Sequence, residues 1–401
     1  MNTNIDQLLN RDSGVFRMVP TFVPRRNGAA GHRLRLHPDD YFPLGMARGS
    51  IKERWFTATI PANNGPLAPA DEGLSYVAVD EQAKERVLFK EVVEEGKAQV
   101  VGDSLMKDHG GWPMYSKFFD YNDALFHHLH LSFADAETIG LLGKPEAYYF
   151  PAQLNNHPGT FPHTYFGYDQ SVTKDEVRAR LEMFEETDNR ITELSRAYRL
   201  QLGTGWYTPP GVAHAPGSFL TYEPQWNADV NSVHENIVAD EIYPWDMLVE
   251  SCPEEKKRDM DYIMSLLDWE KNIDPDYRRH YYRPPRDSVG KGRGFTERWI
   301  VYGNTYFSAT ELSVPPGATV TVTDKGAYGA IVIQGHGSLN GVAAESATML
   351  RFGQMSSDEF FVTYDAATKG VEIKNMSLHE PLVMLKHFGP DNAQPDLSNG
   401  L

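Results

Sequence analysis

The sequence predicts a mainly β protein in which two β domains are joined by a helical segment. Three observations lead to this fold class. Short runs rich in β-branched and aromatic residues alternate with Gly, Pro and Asn from residue 1 to about residue 170, as strands and turns do. A second series of short strands begins near Phe295. The chain of 401 residues is long enough for two or three packed cores.

The chain divides into three predicted segments. These are a first β domain at 1–245, a helical segment with a basic linker at 246–290, and a second β domain at 291–401. The first domain includes an amphipathic helix at about 172–200, since Val177, Leu181 and Phe184 lie on one helical face. Both β domains have the strand spacing of jelly rolls. We expect the second to be free of metal, because His336 has no second histidine beside it.

Composition and charge exclude several classes of protein. The formal net charge is −17, from 38 Lys and Arg against 55 Asp and Glu, so the chain repels phosphate backbones and anionic lipid headgroups. The N-terminal residues contain no apolar signal-peptide core, and no stretch approaches the ~18 apolar residues of a spanning helix. We therefore expect a cytoplasmic protein with neither a nucleic-acid nor a membrane partner. Cys252 is the single cysteine, which excludes a disulfide framework and a cysteine-based zinc site.

The first domain carries a His-x-His pair, His128-Leu129-His130, in the run FHHLHLSF. Residues two apart in a strand point to the same face, so both imidazoles would face one interior. Imidazole binds borderline divalent metals well, and two rings supply half of a four-ligand site. Such a pair is also common on the surface of a strand, so it does not by itself establish a metal site.

A second motif lies farther along the chain, in GTGWYTPPGVAH. Gly203 is followed after five residues by the pattern Pro-x-Gly-x-x-His, which ends at His214. The Pro and Gly of this pattern favour a tight turn that directs His214 towards the interior. This is the spacing of the second cupin motif, with Ser218 in place of its final asparagine. Together with the His-x-His pair, it predicts a cupin, a jelly-roll β-barrel, with three histidines around one divalent metal ion.

A carboxylate ligand is also expected, and spacing alone leaves its position open. Common cupins place it four or five residues after the second histidine, which corresponds here to Ala134 or Asp135, with Glu137 just beyond. The other candidate is Glu146 in GLLGKPEAYYF, at the start of a predicted strand.

The order of four motifs resembles that of the type I mannose-6-phosphate isomerases, which are zinc-dependent cupins with a further jelly roll towards the C-terminus. The motifs are KFFDYNDALFHHLH, GKPEAYYF, TYFGYDQSVTKDEVRARLE and GTGWYTPPGVAHAPGSFLTYEPQWNADV. The resemblance implies that one divalent ion, Zn²⁺ before Fe²⁺ or Mn²⁺, is held by His128, His130, Glu146 and His214. It also implies three catalytic residues, Lys117, Lys144 and Glu223. We expect His234, Trp206 and Tyr148 to contact the substrate.

Two positions depart from the family pattern. His130 is followed by Leu131 and Ser132 where the family has Pro-Asp, and Val233 stands where the family has a catalytic arginine. An aldose–ketose isomerase needs a donor where enediolate or phosphate charge sits. The departure therefore leaves open whether the substrate is phosphorylated. The arginines of the basic linker are an alternative phosphate clamp: Arg278, Arg279, Arg283 and Arg286.

These features predict a metal-dependent aldose–ketose isomerase that acts on a sugar or sugar phosphate through an enediolate. One alternative is a cupin enzyme of other chemistry, such as an Fe²⁺ or Mn²⁺ oxygenase or an epimerase, because three His and a Glu suit several metals. Another is a non-catalytic sugar-binding cupin, which Val233 favours. Each alternative has a small carbohydrate as its partner, and a homodimer is compatible with the second β domain.

Overall fold

The computed structural model describes residues 3–11, 13–288, 294–392 and 394–395, and strands predominate over helices in these ranges. The strands within each sheet pair antiparallel. The predicted mainly β fold class is confirmed. No helix in the described ranges is long and apolar enough to cross a membrane.

Two sheets carry the residues of the sequence motifs. The seven-stranded sheet contains, in spatial order, Tyr282–Arg283, Gly205–Thr208, Glu146–Tyr149, Thr221–Trp226, Met114–Phe119, Ser50–Phe56 and Thr21–Arg25. The five-stranded sheet contains Ser195–Arg199, His163–Tyr168, His214–Ala215, His128–Leu129 and Ser232–Val233. Side chains from the two sheets meet in a shared interior, where His214 of the shorter sheet contacts Glu146 of the longer one.

Two further sheets enclose a second apolar core. The nine-stranded sheet contains Arg286–Asp287, Thr296–Val301, Ser308–Val314, Leu382–Phe388, Tyr328–Gln334, Glu359–Val362, Val15–Val19, Tyr76–Ala78 and Arg86–Leu88. The four-stranded sheet contains Thr319–Val322, Val371–Asn375, His336–Leu339 and Val342–Glu345. Leu312 and Tyr328 from the nine-stranded sheet pack with Val322 and Ile373 from the four-stranded sheet. A separate two-stranded ribbon joins Ile237–Val238 to Glu241–Ile242.

The N-terminal strand Val15–Val19 lies in the sheet that is formed mainly by C-terminal residues. It pairs with Glu359–Val362 on one side and with Tyr76–Ala78 on the other. The two ends of the chain are therefore built into one sheet. The domain division into 1–245, 246–290 and 291–401 stays a prediction, and its second boundary lies outside the described residues.

The helices are short and lie between strands. The α-helices are Thr3–Leu9, Phe89–Val101, Asp103–His109, Phe133–Glu137, Lys174–Glu182, Trp245–Leu248, Met260–Ser265, Trp269–Asn272, Tyr277–Tyr281 and Tyr364–Lys369. The 3-10 turns are Pro38–Asp40, Met46–Arg48, Ile191–Leu194 and Glu254–Lys256.

The predicted helix at about 172–200 is wrong in its length. The helix begins after the N-cap Thr173, whose side chain forms a capping box with Glu176, and it ends at Glu182. The remainder of the predicted span becomes the 3-10 turn and then the strand Ser195–Arg199.

Contacts with a distant segment hold the chain after Glu182: the side-chain amide of Asn236 donates to the carbonyls of Phe184 at 2.8 Å and Thr187 at 2.7 Å. Asn189 is buried, and its side-chain amide donates a hydrogen bond to the carbonyl of His234 at 2.7 Å. Arg190 adopts a left-handed φ of 47°, so the α-helix does not resume before the 3-10 turn Ile191–Leu194. A tertiary hydrogen bond thus replaces the helical turn that the sequence pattern suggested.

Candidate metal centre

Three histidines from the two sequence motifs lie together between the sheets. His128 and His214 face each other on neighbouring strands, and His130 follows two residues after His128. The ring centroids are 4.1 Å apart for His128 and His214, 4.9 Å for His128 and His130, and 5.0 Å for His130 and His214. One ring nitrogen of each lies within 4.8 Å of the others, and all three side chains are buried.

A glycine turn sets the position of His214. Gly211 has a φ of 79°, which glycine adopts without strain, and a Cβ there would lie 3.0 Å from the Asp268 side chain. The Gly211 N–H donates to the carbonyl of His130 at 2.8 Å. The Pro-x-Gly-x-x-His turn therefore fastens the strand of His214 beside the His-x-His strand.

Backbone carbonyls fix the orientation of all three imidazoles. Nδ1 of His128 lies 2.9 Å from the carbonyl of Phe126, and Nδ1 of His214 lies 2.8 Å from that of Val212. Nδ1 of His130 lies 2.9 Å from the Val230 carbonyl. Since a carbonyl can only accept, each Nδ1 carries the proton and each Nε2 presents a lone pair. Burial lowers the pKa of His128 well below its usual range and that of His130 to about 4, which keeps these rings neutral.

Glu146 completes the cluster. Its Oε1 lies 3.0 Å from Nε2 of His214, and its Oε2 lies 3.0 Å from Nε2 of His130. Burial opposes ionisation of Glu146, but the charge of Lys144, 3.0 Å away, holds its pKa well below the usual range. The hydroxyl of Tyr148 donates to Oε1.

The donor set fits a divalent cation. Two imidazole lone pairs face carboxylate oxygens at hydrogen-bond distance although neither partner has a proton to give. Nε2 of His130 also lies 3.1 Å from Nζ of Lys144, whereas Nε2 of His214 has no hydrogen-bond donor among the described residues. Each histidine Nδ1 is bonded to a backbone carbonyl, which leaves Nε2 as a buried acceptor. This arrangement orients histidine ligands towards a metal. Three neutral nitrogens and one carboxylate suit Zn²⁺.

The two other carboxylate candidates face different surroundings. The Asp135 carboxylate accepts a hydrogen bond from the hydroxyl of Ser132, and that hydroxyl caps the helix by accepting from the Asp135 N–H. Glu137 is exposed. Of the candidates for the carboxylate ligand, the structure places Glu146 alone against the histidines.

A second buried carboxylate, Glu223, lies beside the histidine cluster. Its Oε1 is 3.4 Å from Nζ of Lys117 and 3.7 Å from Nζ of Lys144. Burial and the charge of Glu146 raise the pKa of Glu223 to about 8, although the two lysines act in the opposite direction. A carboxylate with a pKa near neutrality can both accept and return a proton.

These groups open onto one cavity of about 920 Å³. The predicted site residues on its wall are Lys117, His128, His130, Lys144, Glu146, Tyr148 and Glu223. The volume is sufficient for a monosaccharide.

Two predicted substrate contacts, Trp206 and His234, are not on the cavity wall, and their contact with a substrate stays a prediction. Trp206 is buried among aromatic rings, with centroids 5.0 Å from Phe166 and 4.8 Å from Tyr198. His234 is fully buried, and neither ring nitrogen has a partner among the described residues. Both side chains therefore lie in the core and not on the cavity wall.

Val233, at the position of the family's arginine, is also buried. It packs in a small apolar cluster with Phe126 and Tyr243. This side of the cavity therefore holds no cation at the position that the resemblance would predict.

Sequence reasoning missed three charged residues of the cavity. Arg25 donates to Glu53 at 3.1 Å and to Asp229 at 3.1 Å, and all three residues line the cavity wall. Their strands come from distant parts of the chain, and no motif marks them. Alternation in SIKERWF could have placed Glu53 on one strand face, but not on this cavity.

Over nearly its whole length, the chain has the fold of the mannose-6-phosphate isomerases. No protein-family model matches the chain, and no curated protein matches it by sequence. The structure of a mannose 6-phosphate isomerase from Bacillus subtilis matches with a TM-score of 0.61 and 18% identity, covering 93% of this chain and 99% of that one. A phosphomannose isomerase mutant from Salmonella typhimurium gives 0.64 and 11%, with 94% and 100% covered.

A zinc-bound mannose 6-phosphate isomerase has a TM-score of 0.61 and 11% identity, covering 94% of this chain and 99% of that one. At these identities the likeness concerns the fold. The structural resemblance expected from the four motifs is confirmed.

Proposed function

We propose that this protein is a zinc-dependent aldose–ketose isomerase. The single observation that carries the proposal is the position of Glu223. This buried carboxylate, with its pKa raised to about 8, shares a cavity with His128, His130 and Glu146, which together with the buried His214 form the cluster that fits a metal. An isomerase of this class needs a proton carrier next to an electrophilic centre. The fold of the mannose 6-phosphate isomerases supports the same conclusion.

The metal would be held by His128, His130, His214 and Glu146. When bound, it supplies Lewis-acid polarisation of the substrate carbonyl. Fixed Nδ1–H donors and the Tyr148 hydroxyl hold the protein ligands in place without rearrangement.

Glu223 carries the proton between the two substrate carbons. In its ionised form it removes a proton from the carbon beside the carbonyl, and the neutral acid returns that proton to the neighbouring carbon. The ammonium groups of Lys117 and Lys144 lie beside Glu223 and stabilise negative charge that develops on the substrate oxygens. The protonated and ionised forms of Glu223 are both accessible near neutral pH, as the reversible transfer requires.

The test combines metal analysis with an isomerisation screen. The purified protein is expected to contain about one zinc per chain and to interconvert aldoses and ketoses, and His214→Ala and Glu146→Ala should each lose both properties. His336→Ala, on an exposed strand position outside the cavity, is the matched control and should keep both. Stoichiometric zinc in the ligand variants would refute the ligand set. Oxygen uptake, epimerisation or binding without turnover would replace the proposed reaction by one of the alternatives.

A further inference from the structure

The cationic side chains of the cavity are already paired with protein carboxylates. Six cations line it: Arg25, Arg26, Arg48, Lys117, Lys144 and Lys257. The structure gives every one except Arg26 a carboxylate partner. A phosphate dianion is recognised by cations whose donors point into the site and are not satisfied elsewhere. Whether each cation already has a carboxylate partner therefore indicates whether the cavity can bind a phosphate group.

Arg25 shows this most clearly. Its Nε and Nη2 donate to Glu53, and Nη2 also donates to both oxygens of Asp229 at 3.1 Å. Its Nη1 donates to the Asn63 carbonyl at 3.2 Å and to Oδ1 of Asn64 at 3.0 Å. All three guanidinium nitrogens are in use, so Arg25 could bind phosphate only by giving up protein bonds.

The other cations offer no replacement. Arg48 donates to the Glu72 carboxylate and the Leu67 carbonyl, and Lys257 is 2.7 Å from Glu254. Arg26 is exposed and holds no carboxylate partner within the described ranges. A single solvated arginine provides a weak phosphate site. The linker arginines, predicted as an alternative clamp, are not on the cavity wall.

Two neutral amides are among the polar groups of the cavity wall that have no hydrogen-bond partner in the described ranges. The side chains of Asn27 and Asn231 line it and make no hydrogen bond within the described part of the chain. An amide both donates and accepts, which matches a sugar hydroxyl. Asp246 and Glu250 add negative charge to the wall, where they can accept from hydroxyls but repel a phosphate.

From this distribution we infer that the sugar is unphosphorylated: the cavity selects a neutral aldose or ketose over its phosphate ester. The inference rests on the proposed function for its substrate class. It separates this chain from the mannose 6-phosphate isomerases whose fold it shares, since those enzymes are named for a phosphorylated sugar. The carboxylate partners of every cavity cation except Arg26, the two free amides and the valine at the family's arginine position all point to this difference.

The test measures binding and turnover separately. Zinc-loaded protein is titrated by calorimetry with unphosphorylated hexoses and pentoses, with their terminal phosphate esters and with inorganic phosphate. Neutral sugars are expected to bind at least about tenfold more tightly than the esters. Tighter binding of the esters, or no binding of any neutral sugar, would overturn the inference. If the proposed function is wrong, no isomerisation is detected. The relative affinities for neutral sugars and phosphate esters still decide the substrate class in that case.

A pair of variants tests the pairing of Arg25. Asp229→Asn removes one partner of Arg25, whereas Asp246→Asn removes the same charge from a carboxylate that no salt bridge of the described residues joins to a cavity cation. Asp229→Asn should reduce the preference for neutral sugars over phosphate esters by about tenfold. Asp246→Asn should change it by no more than about threefold, the share due to charge alone. Equal effects of the two variants would show that Arg25 pairing does not set the selectivity.

Discussion

Two residues of the proposed site have different roles: Glu223 would transfer the proton, and Tyr148 would orient the metal ligand Glu146. Glu223 touches none of the three histidines that converge on the metal position but lies between Lys117 and Lys144. Tyr148 donates to Glu146 through its hydroxyl and is not a proton carrier in the proposed reaction. Their substitution should therefore separate loss of chemistry from loss of metal.

Glu223→Gln should abolish proton transfer while leaving zinc bound. The amide keeps the shape of the carboxyl but cannot accept the substrate proton, so kcat is expected to fall by about 10²- to 10⁴-fold. The measurement is isomerisation in deuterated water, with solvent hydrogen in the product followed by NMR, together with zinc analysis. Glu235→Gln is the control, since Glu235 is also a buried carboxyl with a pKa raised to about 7 but lies outside the cavity wall. Full activity of Glu223→Gln would remove Glu223 from the mechanism.

Tyr148→Phe should weaken zinc binding. The ring keeps its contact with Phe119, at a centroid distance of 5.7 Å, but the donor to Glu146 is lost. Removing such a second-sphere bond is expected to lower metal affinity about 10- to 100-fold. Competition with a chelator measures the change. Tyr149→Phe is the matched control, because the hydroxyl of Tyr149 donates instead to Glu311 at 2.7 Å; equal zinc affinities in the two variants would contradict the role.

At the scale of elements, one histidine links strands of two different sheets. His387 lies on Leu382–Phe388 of the nine-stranded sheet. Its ring is hydrogen-bonded with the hydroxyl of Ser116 at 2.9 Å and with that of Tyr222 at 2.8 Å, both on the seven-stranded sheet. The remaining ring nitrogen is 2.8 Å from the hydroxyl of Thr57. Three buried hydroxyls thus depend on one neutral imidazole.

His387→Leu should lower the free energy of unfolding by about 2–4 kcal/mol, because it leaves buried hydroxyls unsatisfied. Denaturant unfolding at pH 7.5 measures the loss. His336→Leu, at an exposed position in the four-stranded sheet, should cost less than about 0.5 kcal/mol. Comparable losses for the two variants would mean that the hydrogen bonds of His387 between the sheets do not contribute to the free energy of unfolding.

The pKa of His387 also predicts how the free energy of unfolding depends on pH. Burial lowers the pKa of His387 to about 3, whereas an unfolded histidine titrates near 6.5. The unfolded chain therefore binds a proton that the folded chain resists, and the stabilisation by neutral His387 is lost as the pH falls from about 6.5 towards 3, by up to ~1.4 kcal/mol per pH unit. The gap in unfolding free energy between the wild type and His387→Gln should narrow over this range. A constant gap between pH 7.5 and 5 would contradict the assignment.

At the scale of the whole molecule, a buried ion cluster joins the two sheet systems, that is, the seven- and five-stranded sheets on one side and the nine- and four-stranded sheets on the other. Arg54 lies on Ser50–Phe56 of the seven-stranded sheet and donates to Asp358 at 2.7 and 2.8 Å and to Glu359 at 3.1 Å. Burial disfavours the charge of Arg54, but the two carboxylates raise its pKa above its usual value. Since Val15–Val19 also crosses into the C-terminal sheet, we expect both sheet systems to unfold together.

Arg54→Leu should destabilise the protein by about 3–5 kcal/mol, because it leaves two buried carboxylates without their cation. Calorimetry should show one transition that shifts as a whole. The control is Arg351→Leu, which breaks an exposed pair with Asp40 and should cost less than about 1 kcal/mol. Two separate transitions, with only one of them displaced, would show that the sheet systems are independent.

The sequence by itself was sufficient for the mainly β fold class and for the histidine positions. Period-two spacing places His128 and His130 on one strand face, and the Pro-x-Gly-x-x-His turn directs His214; both are local properties of the backbone. The choice of Glu146 over Asp135 needed the resemblance or the structure, because a ligand on another strand has no fixed spacing from the histidines.

Only the tertiary structure decided the end of the 172–200 helix, the position of Trp206 and His234, and the pairing of Arg25 with Glu53 and Asp229. Each depends on contacts between segments far apart in the chain, which compete with local propensity and leave no periodic trace. The strand Val15–Val19 joins the C-terminal sheet for the same reason: pairing partners more than three hundred residues away are selected by burial of a shared core and not by adjacent sequence.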